Sequence, residues 1–254
     1  MNTPLELHQR YQIQATWTTS IRRHLLRQSE LGKAARVLDV GCGTGVITSE
    51  LTKLTRGRVY GLDIDQHVLS FARTNQMPGH YLAGDALALP HAAHTFDVSL
   101  CHFLLLWVTN VDRVLDEMVR VTVPGGRVLA LAEPDYGGRV DYPESLAEVG
   151  ELQARSLEAQ GSDPRIGRKL RALFARAGLI EVLAGVLGGE WDASPEPDAM
   201  SSEWDTLLND LQGMLSHEEL EAFRRQDQKA WREGSRVLFV PTFYAMGRVP
   251  PHGR

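Results

Sequence analysis

The chain has 254 residues, of which 43% are hydrophobic and 23% charged, and a formal net charge of -5. That length suits one large α/β domain, or one domain with an appended lobe, with enough residues to bury a core. The acidic balance argues against a nucleic-acid partner, which needs a basic surplus or a basic stripe.

Two cysteines, Cys42 and Cys101, are too few for a disulfide framework and read as reduced thiols. No apolar run reaches the ~20 residues needed to cross a bilayer. The longest, "FDVSLCHFLLLWV", is interrupted by Asp97 and His102. The N-terminus has no apolar signal-type region. A cytoplasmic protein with no membrane partner is expected.

In chain order, Tyr11–Leu31 carries Ile13, Trp17, Ile21, Leu25 and Leu26 at helical spacing and predicts one amphipathic helix. "ARVLDV" predicts a strand and Val46–Thr55 a helix. Gly57–Ile64 predicts a second strand, followed by a helix that Asp65 caps. "GHYLAGDA" and "FDVSLC" give strands three and four. Asn110–Thr122 gives a helix, Pro124-Gly125-Gly126 a turn and Gly126–Pro134 a fifth strand.

Strands alternating with helices of about ten residues predict a parallel sheet covered on both faces, with right-handed connections. Beyond Pro134 the pattern predicts helices over Tyr142–Gly161 and Pro164–Gly178 and a strand over Leu179–Trp191. Two further helices and a last strand, Ser235–Arg248, follow, with Pro241 marking a bulge or an edge.

The stretch "RVLDVGCGTGVI" raises the question of a ligand. A phosphate-binding P-loop needs a lysine after its glycines, and here Val46 stands there. The dinucleotide fingerprint is G-x-G-x-x-G, whereas Gly41, Gly43 and Gly45 make G-x-G-x-G. Asp63, about 20 residues further on at the end of the second strand, can accept hydrogen bonds from ribose hydroxyls. Asp39 before the turn would repel a pyrophosphate but can face an ammonium. Asp85 ends the third strand, where a carboxylate can accept from an adenine amine. Together these suggest S-adenosylmethionine, a nucleoside whose sulfonium and ammonium are both cationic.

"VLDVGCGTG", "VYGLDID", "AGDALALP", "FDVSLCHFLL" and "VPGGRVLALAEPD" resemble, in order and spacing, the motifs of class I S-adenosylmethionine-dependent methyltransferases. The likeness is to the small-molecule branch of ubiquinone/menaquinone-biosynthesis type. It covers roughly Ala35 to Asp135. The resemblance implies a Rossmann-like, doubly wound seven-stranded sheet, mostly parallel with the last strand antiparallel. It implies that residues 1–34 form a lid over the cofactor, and that 35–254 form the methyltransferase domain, with helical segments 139–178 and 192–234 on the acceptor side. It places Gly41, Cys42, Gly43 and Gly45 against the methionine part, Asp63 on the ribose, Ile64 on the adenine, and Asp85 with Ala86 at the adenine edge. His102 falls where the family meets both methionine and acceptor, and Tyr11 or Gln14 could reach the methionine carboxylate.

Four residues after strands four and five are possible bases: His102, Glu133, Asp135 and Tyr136. A base is needed only for an acceptor that arrives protonated with a high pKa. His91, His94 and His102 match no zinc spacing, and no metal is expected. Arg165 or Arg168 could face an anionic acceptor or the Glu133/Asp135 loop. Trp191, Trp204, Phe223 and Trp231 read mainly as core.

The function expected is methyl transfer to a small-molecule acceptor. The alternatives are a nucleic-acid or protein methyltransferase and a non-catalytic module binding S-adenosylmethionine or S-adenosylhomocysteine. The first alternative lacks the N/D-P-P-Y/F tetrapeptide after strand four, where the chain reads "CHFL". Oligomeric state is left open.

Overall fold

The computed structural model describes residues 3–186, 188, 204, 206–208, 210–211 and 213–251. Seven strands form the main sheet: β1 (Arg36–Val40), β2 (Arg58–Asp63), β3 (His80–Ala83), β4 (Phe96–Cys101), β5 (Thr122–Pro134), β7 (Ile180–Val186) and β9 (Thr242–Arg248). Their order is β3-β2-β1-β4-β5-β9-β7. β1 to β5 pair in parallel, and β9 runs antiparallel to both β5 and β7. This is the doubly wound, Rossmann-like sheet with an antiparallel last strand that the sequence predicts.

Alternation along the strands divides the core. Leu38, Val40, Val128 and Ala130 face a layer with α5 (Val111–Val121) and α7 (Leu170–Arg176). Val37, Val98, Leu100, Leu129 and Leu131 face the opposite layer with α2 (Thr19–Gln28) and α3 (Val46–Leu54). Successive side chains of a strand point to opposite faces, so a sheet covered on both sides reads apolar at both parities. α4 (Gln66–Thr74) starts where expected, with the Asp65 side chain accepting from His67 N at 2.7 Å.

The N-terminal segment departs from the single helix predicted. Two helices form, α1 (Pro4–Trp17) and α2, broken at buried Thr18 (φ -110°, ψ 8°). α1 begins seven residues earlier than Tyr11 because Thr3 and Glu6 make a reciprocal capping box with Pro4 at the first turn.

The last strand also divides. β8 (Val237–Phe239) pairs with β6 (Val140–Tyr142) in a separate two-stranded ladder, while β9 joins the main sheet. Pro241 lies at the crossing, where a residue without an N–H cannot continue either ladder. The expected helix over Tyr142–Gly161 is shortened to α6 (Ala147–Ala159), because β6 takes Tyr142 and Glu144–Leu146 form a 3₁₀ turn. The helix expected over Pro164–Gly178 is reduced to a 3₁₀ turn and α7. Much of the predicted strand beyond Val186 and of the helix before Ser216 lies outside the described residues.

α6, α8 (His217–Arg232) and the β6–β8 ladder form a cap with its own apolar centre at Val149, Trp204, Leu207, Leu211 and Leu220. No helix among the described residues is long and apolar enough to cross a membrane.

Candidate functional site

The strand order reverses between β1 and β4, and ligands in such sheets bind beyond the carboxyl ends of the strands at that reversal. A cavity of about 880 Å³ opens there, walled by α1, the loops after β1, β4 and β5, and the cap.

The glycine loop forms the floor of one end. Gly41, Gly43 and Gly45 take φ of 73°, 52° and 85°, which L side chains rarely adopt. A Cβ on Gly43 would meet the Tyr11 ring at 2.8 Å, and one on Gly41 would meet the Leu104 side chain at 2.7 Å. The loop is therefore held open only by the absence of side chains. Gly43 N donates to Asp63 Oδ2 at 2.8 Å and Asp65 N donates to Oδ1 at 2.9 Å. These bonds fix the carboxylate against the loop and leave lone pairs for further donors. Buried Asp39 accepts from Thr48 Oγ1 at 2.7 Å. Burial pushes its carboxyl up to about 7, and the nearby Asp63 carboxylate adds to this.

α1 lies across this end, with the Tyr11 ring over Gly43. Arg10, Tyr11, Gln14 and Trp17 line the cavity at helical spacing. His8 Nδ1 sits 2.9 Å from Thr44 Oγ1, tying α1 to the glycine loop. Arg10 Nε is buried with no hydrogen-bond partner. A buried donor of this kind is costly unless a ligand meets it.

α1 is latched at its break. Arg22, 2% exposed, reaches Glu50 Oε2 through Nη2 at 2.6 Å, Ala15 O at 2.8 Å and Thr18 Oγ1 at 2.6 Å. Thr18 Oγ1 lies 2.9 Å from His102 Nε2. Loss of solvent around the His102 ring, with the Arg22 guanidinium nearby, pushes its pKa down to about 3.

Beyond β4 the chain turns through Phe103 at φ 53°, an unusual conformation for a bulky residue and a mark of a constrained site. Phe103, Leu104, Leu106 and Trp107 then wall the cavity. Fully buried Glu133 holds this turn: its Oε1 accepts from Leu104 N and Leu105 N, each at 3.0 Å, and its Oε2 from Leu106 N at 3.3 Å. Burial outweighs those three donors and pushes the carboxyl up to about 7. Asp135, 1% exposed, pairs with Arg168 through both oxygens, with Nη2–Oδ1 at 2.8 Å.

Of the residues the sequence singles out, Tyr11, Gly41, Cys42, Gly43, Asp63, His102 and Tyr136 line the one cavity. Gly45 begins α3 behind the loop. Ile64, Asp85 and Ala86 lie outside the lining, after β2 and β3. Ile64 is 71% exposed, and Asp85 Oδ1 accepts from Leu87 N at 2.8 Å. Glu133 and Asp135 stand behind the wall, each with structural partners. Arg168 meets the Asp135 loop, as one of the two expectations for it has it. Cys42 and Cys101 are free and buried, and burial raises both thiols. Among the described residues no three His, Cys, Asp or Glu side chains are grouped to hold a metal.

Arg10, Trp107, Gln153 and Arg236 also line the cavity and are not among the residues anticipated. Arg10 had a signal, being next to Tyr11 and one turn from Gln14. The others converge from distant parts of the chain.

The residues present fit an S-adenosylmethionine-type ligand: the Asp63 carboxylate with lone pairs left for donors, close-approach glycines, buried Asp39, and an Arg10 Nε donor without a hydrogen-bond partner. The comparisons agree. Residues 38–130 match the family described as "Methyltransferase domain". A demethylmenaquinone methyltransferase of Bacillus pumilus is 33% identical over 182 residues, covering 63% of this chain and 77% of that one. A malonyl-[acyl-carrier protein] O-methyltransferase of Erwinia pyrifoliae is 41% identical over 105 residues, covering 41% of this chain and 40% of that one, so the match spans less than half of that relative. Among solved structures, a Haloferax volcanii methyltransferase in complex with an activator protein superposes with a TM-score of 0.61 at 19% identity, covering 97% of this chain and 96% of that one, a likeness of fold. Motif order, sheet topology and relatives agree: the chain belongs to the class I S-adenosylmethionine-dependent methyltransferases.

Proposed function

We propose that the protein moves the methyl group of S-adenosylmethionine onto a small molecule held in the same cavity. One observation carries the reading: a single cavity of about 880 Å³ joins the glycine-loop end to an apolar, aromatic end under the cap. That volume is at the large end of ordinary ligand sites and suits two small partners side by side.

Asp63 is assigned to the ribose hydroxyls, Arg10 with Gln14 to the methionine carboxylate, and Asp39 with the loop carbonyls to the ammonium. Tyr11 covers the loop. The bound cofactor supplies a methyl already activated by its sulfonium. The protein's task is then to align the acceptor and exclude water, and alignment can contribute about 7–11 kcal/mol.

Base catalysis has weaker support. Glu133 and Asp135 are engaged in holding the wall, and a histidine whose pKa lies near 3 is a poor base. Tyr136 lines the cavity and is the remaining member of the four.

Titration calorimetry with S-adenosylhomocysteine tests the cofactor assignment. Incubation with methyl-labelled S-adenosylmethionine and fractionated cell extract tests the acceptor class. Label appearing in the small-molecule fraction supports the reading. Label confined to nucleic acid or protein, or cofactor binding without any transfer, rejects it for one of the alternatives.

A further inference from the structure

The acceptor end of the cavity contains an ionic chain that belongs to no cofactor contact. Arg236 Nε donates to Asp227 Oδ1 at 2.6 Å, and its Nη2 donates to Asp141 Oδ1 at 2.8 Å. Its Nη1 is shared between the carbonyls of Tyr142 and Val237. Arg139 Nε meets Asp141 Oδ2 at 2.7 Å, and its Nη1 meets Gln153 Oε1 at 2.6 Å. Gln153 in turn donates to Asp210 Oδ2 at 2.8 Å, and Trp204 Nε1 donates to Asp227 Oδ2 at 2.8 Å. Gln153, Asp210, Asp227 and Arg236 face the cavity, and all are buried.

Two features of this wall bear on what it can bind. Each guanidinium already points its donors at protein acceptors, so an anion could be bound only by taking a donor from a buried carboxylate. The sign of the charge also opposes an anion. Among the described residues this ionic chain contains three carboxylates, Asp141, Asp210 and Asp227, and two guanidiniums, Arg139 and Arg236. A carboxylate oxygen has two lone pairs, so Asp227, which accepts from Arg236 Nε on Oδ1 and from Trp204 Nε1 on Oδ2, can still accept from a ligand. Trp204 and Trp231 supply flat apolar surface beside it.

We infer that this wall determines acceptor specificity by charge. The acceptor is a flat, largely apolar compound whose distal polar group donates hydrogen bonds and carries no negative charge, and carboxylate-bearing acceptors are excluded. The inference rests on the proposed cofactor end, because the distal group is defined by its distance from the glycine loop. It separates the chain from a relative named for a malonyl acceptor.

The test is calorimetry on the full chain saturated with S-adenosylhomocysteine, using two probes of one shape: 2-naphthylmethylamine, a cation, and 2-naphthylacetate, an anion. The amine is expected to bind at least about tenfold more tightly. Trp231→Lys places a cation one helical turn from Asp227 on the same helix, offsetting the charge of the wall, and is expected to narrow the gap at least about tenfold. If that variant does not fold by circular dichroism, the parent comparison decides alone. Binding of the anion as tightly as the amine, or no preference between them, overturns the inference. If S-adenosylhomocysteine itself gives no heat, the cofactor reading has failed, and that result is distinct from a failure of selectivity.

Discussion

Glu133→Ala tests whether that acid is an anchor or a base. The substitution leaves Leu104 N, Leu105 N and Leu106 N without their acceptor in a region where Leu105 and Leu106 are buried. An orphaned buried donor costs about 1–3 kcal/mol, so partial relaxation of three gives a loss of about 3–5 kcal/mol. That is a large share of the ~5–15 kcal/mol that holds most domains together. Glu133→Gln keeps one carbonyl oxygen, enough for Leu104 and Leu105, but sets an amide N–H against Leu106 N–H. Its expected cost is about 1–2 kcal/mol. Urea unfolding followed by tryptophan fluorescence and far-ultraviolet circular dichroism measures both. Methyl transfer should fall in proportion to disorder of the Phe103–Trp107 wall. The anchor role is refuted if the alanine variant unfolds within ~0.5 kcal/mol of the parent. It is equally refuted if the glutamine variant keeps full stability while transfer is lost.

The remaining predictions concern pH, the lid and its latch. Asp39 and Glu133 both have folded pKa values raised to about 7, so the stability they contribute is complete below about pH 4 and is lost as pH rises to about 7. The loss is on the order of 3–4 kcal/mol per group. Asp39→Asn should remove its share of the difference in urea stability between pH 5 and pH 8, and an unchanged difference would sink the assignment. Arg10→Ala should weaken S-adenosylhomocysteine binding about tenfold to a hundredfold by calorimetry, the worth of a charge-assisted hydrogen bond; unchanged affinity places the carboxylate elsewhere. Arg22→Ala breaks the Glu50 pair and frees Thr18, and should cost about 2–4 kcal/mol, discounted because Glu50 keeps some solvent. In that variant α1 should be cut by trypsin well before the sheet, and equal protection of both would show that the latch does not hold the lid.

The parts of the site that were legible in the sequence are those made by neighbours in the chain. The glycine turn follows directly from β1, and its ligand class can be narrowed by spacing alone. Asp63 and Asp65 separate into a cavity-lining carboxylate and a helix cap because only Asp65 immediately precedes a helix pattern. The core strands were readable because both parities are apolar.

What was not legible depends on distant partners. Glu133 and Asp135 look like bases from their place at the carboxyl end of strand five, yet their oxygens are taken up by a turn some thirty residues earlier and by Arg168. The break at Thr18 has no glycine or proline to announce it. It arises from Arg22 folding back on Ala15 and from His102 at the end of another element. The wall of the acceptor end joins Asp141 to Arg236 across 95 positions, and no local pattern encodes that pairing.

The Arg22–Thr18–His102 latch also has a kinetic side. If the spent cofactor leaves past α1, which is seated over the glycine loop, its release requires that helix to lift. Turnover is then bounded by how often the helix lifts, however fast the bond-making step becomes. A saturating acceptor in the same cavity, whose lining includes Trp17 of α1, would slow that lifting. High acceptor concentrations should therefore inhibit, and burst kinetics should precede the steady state.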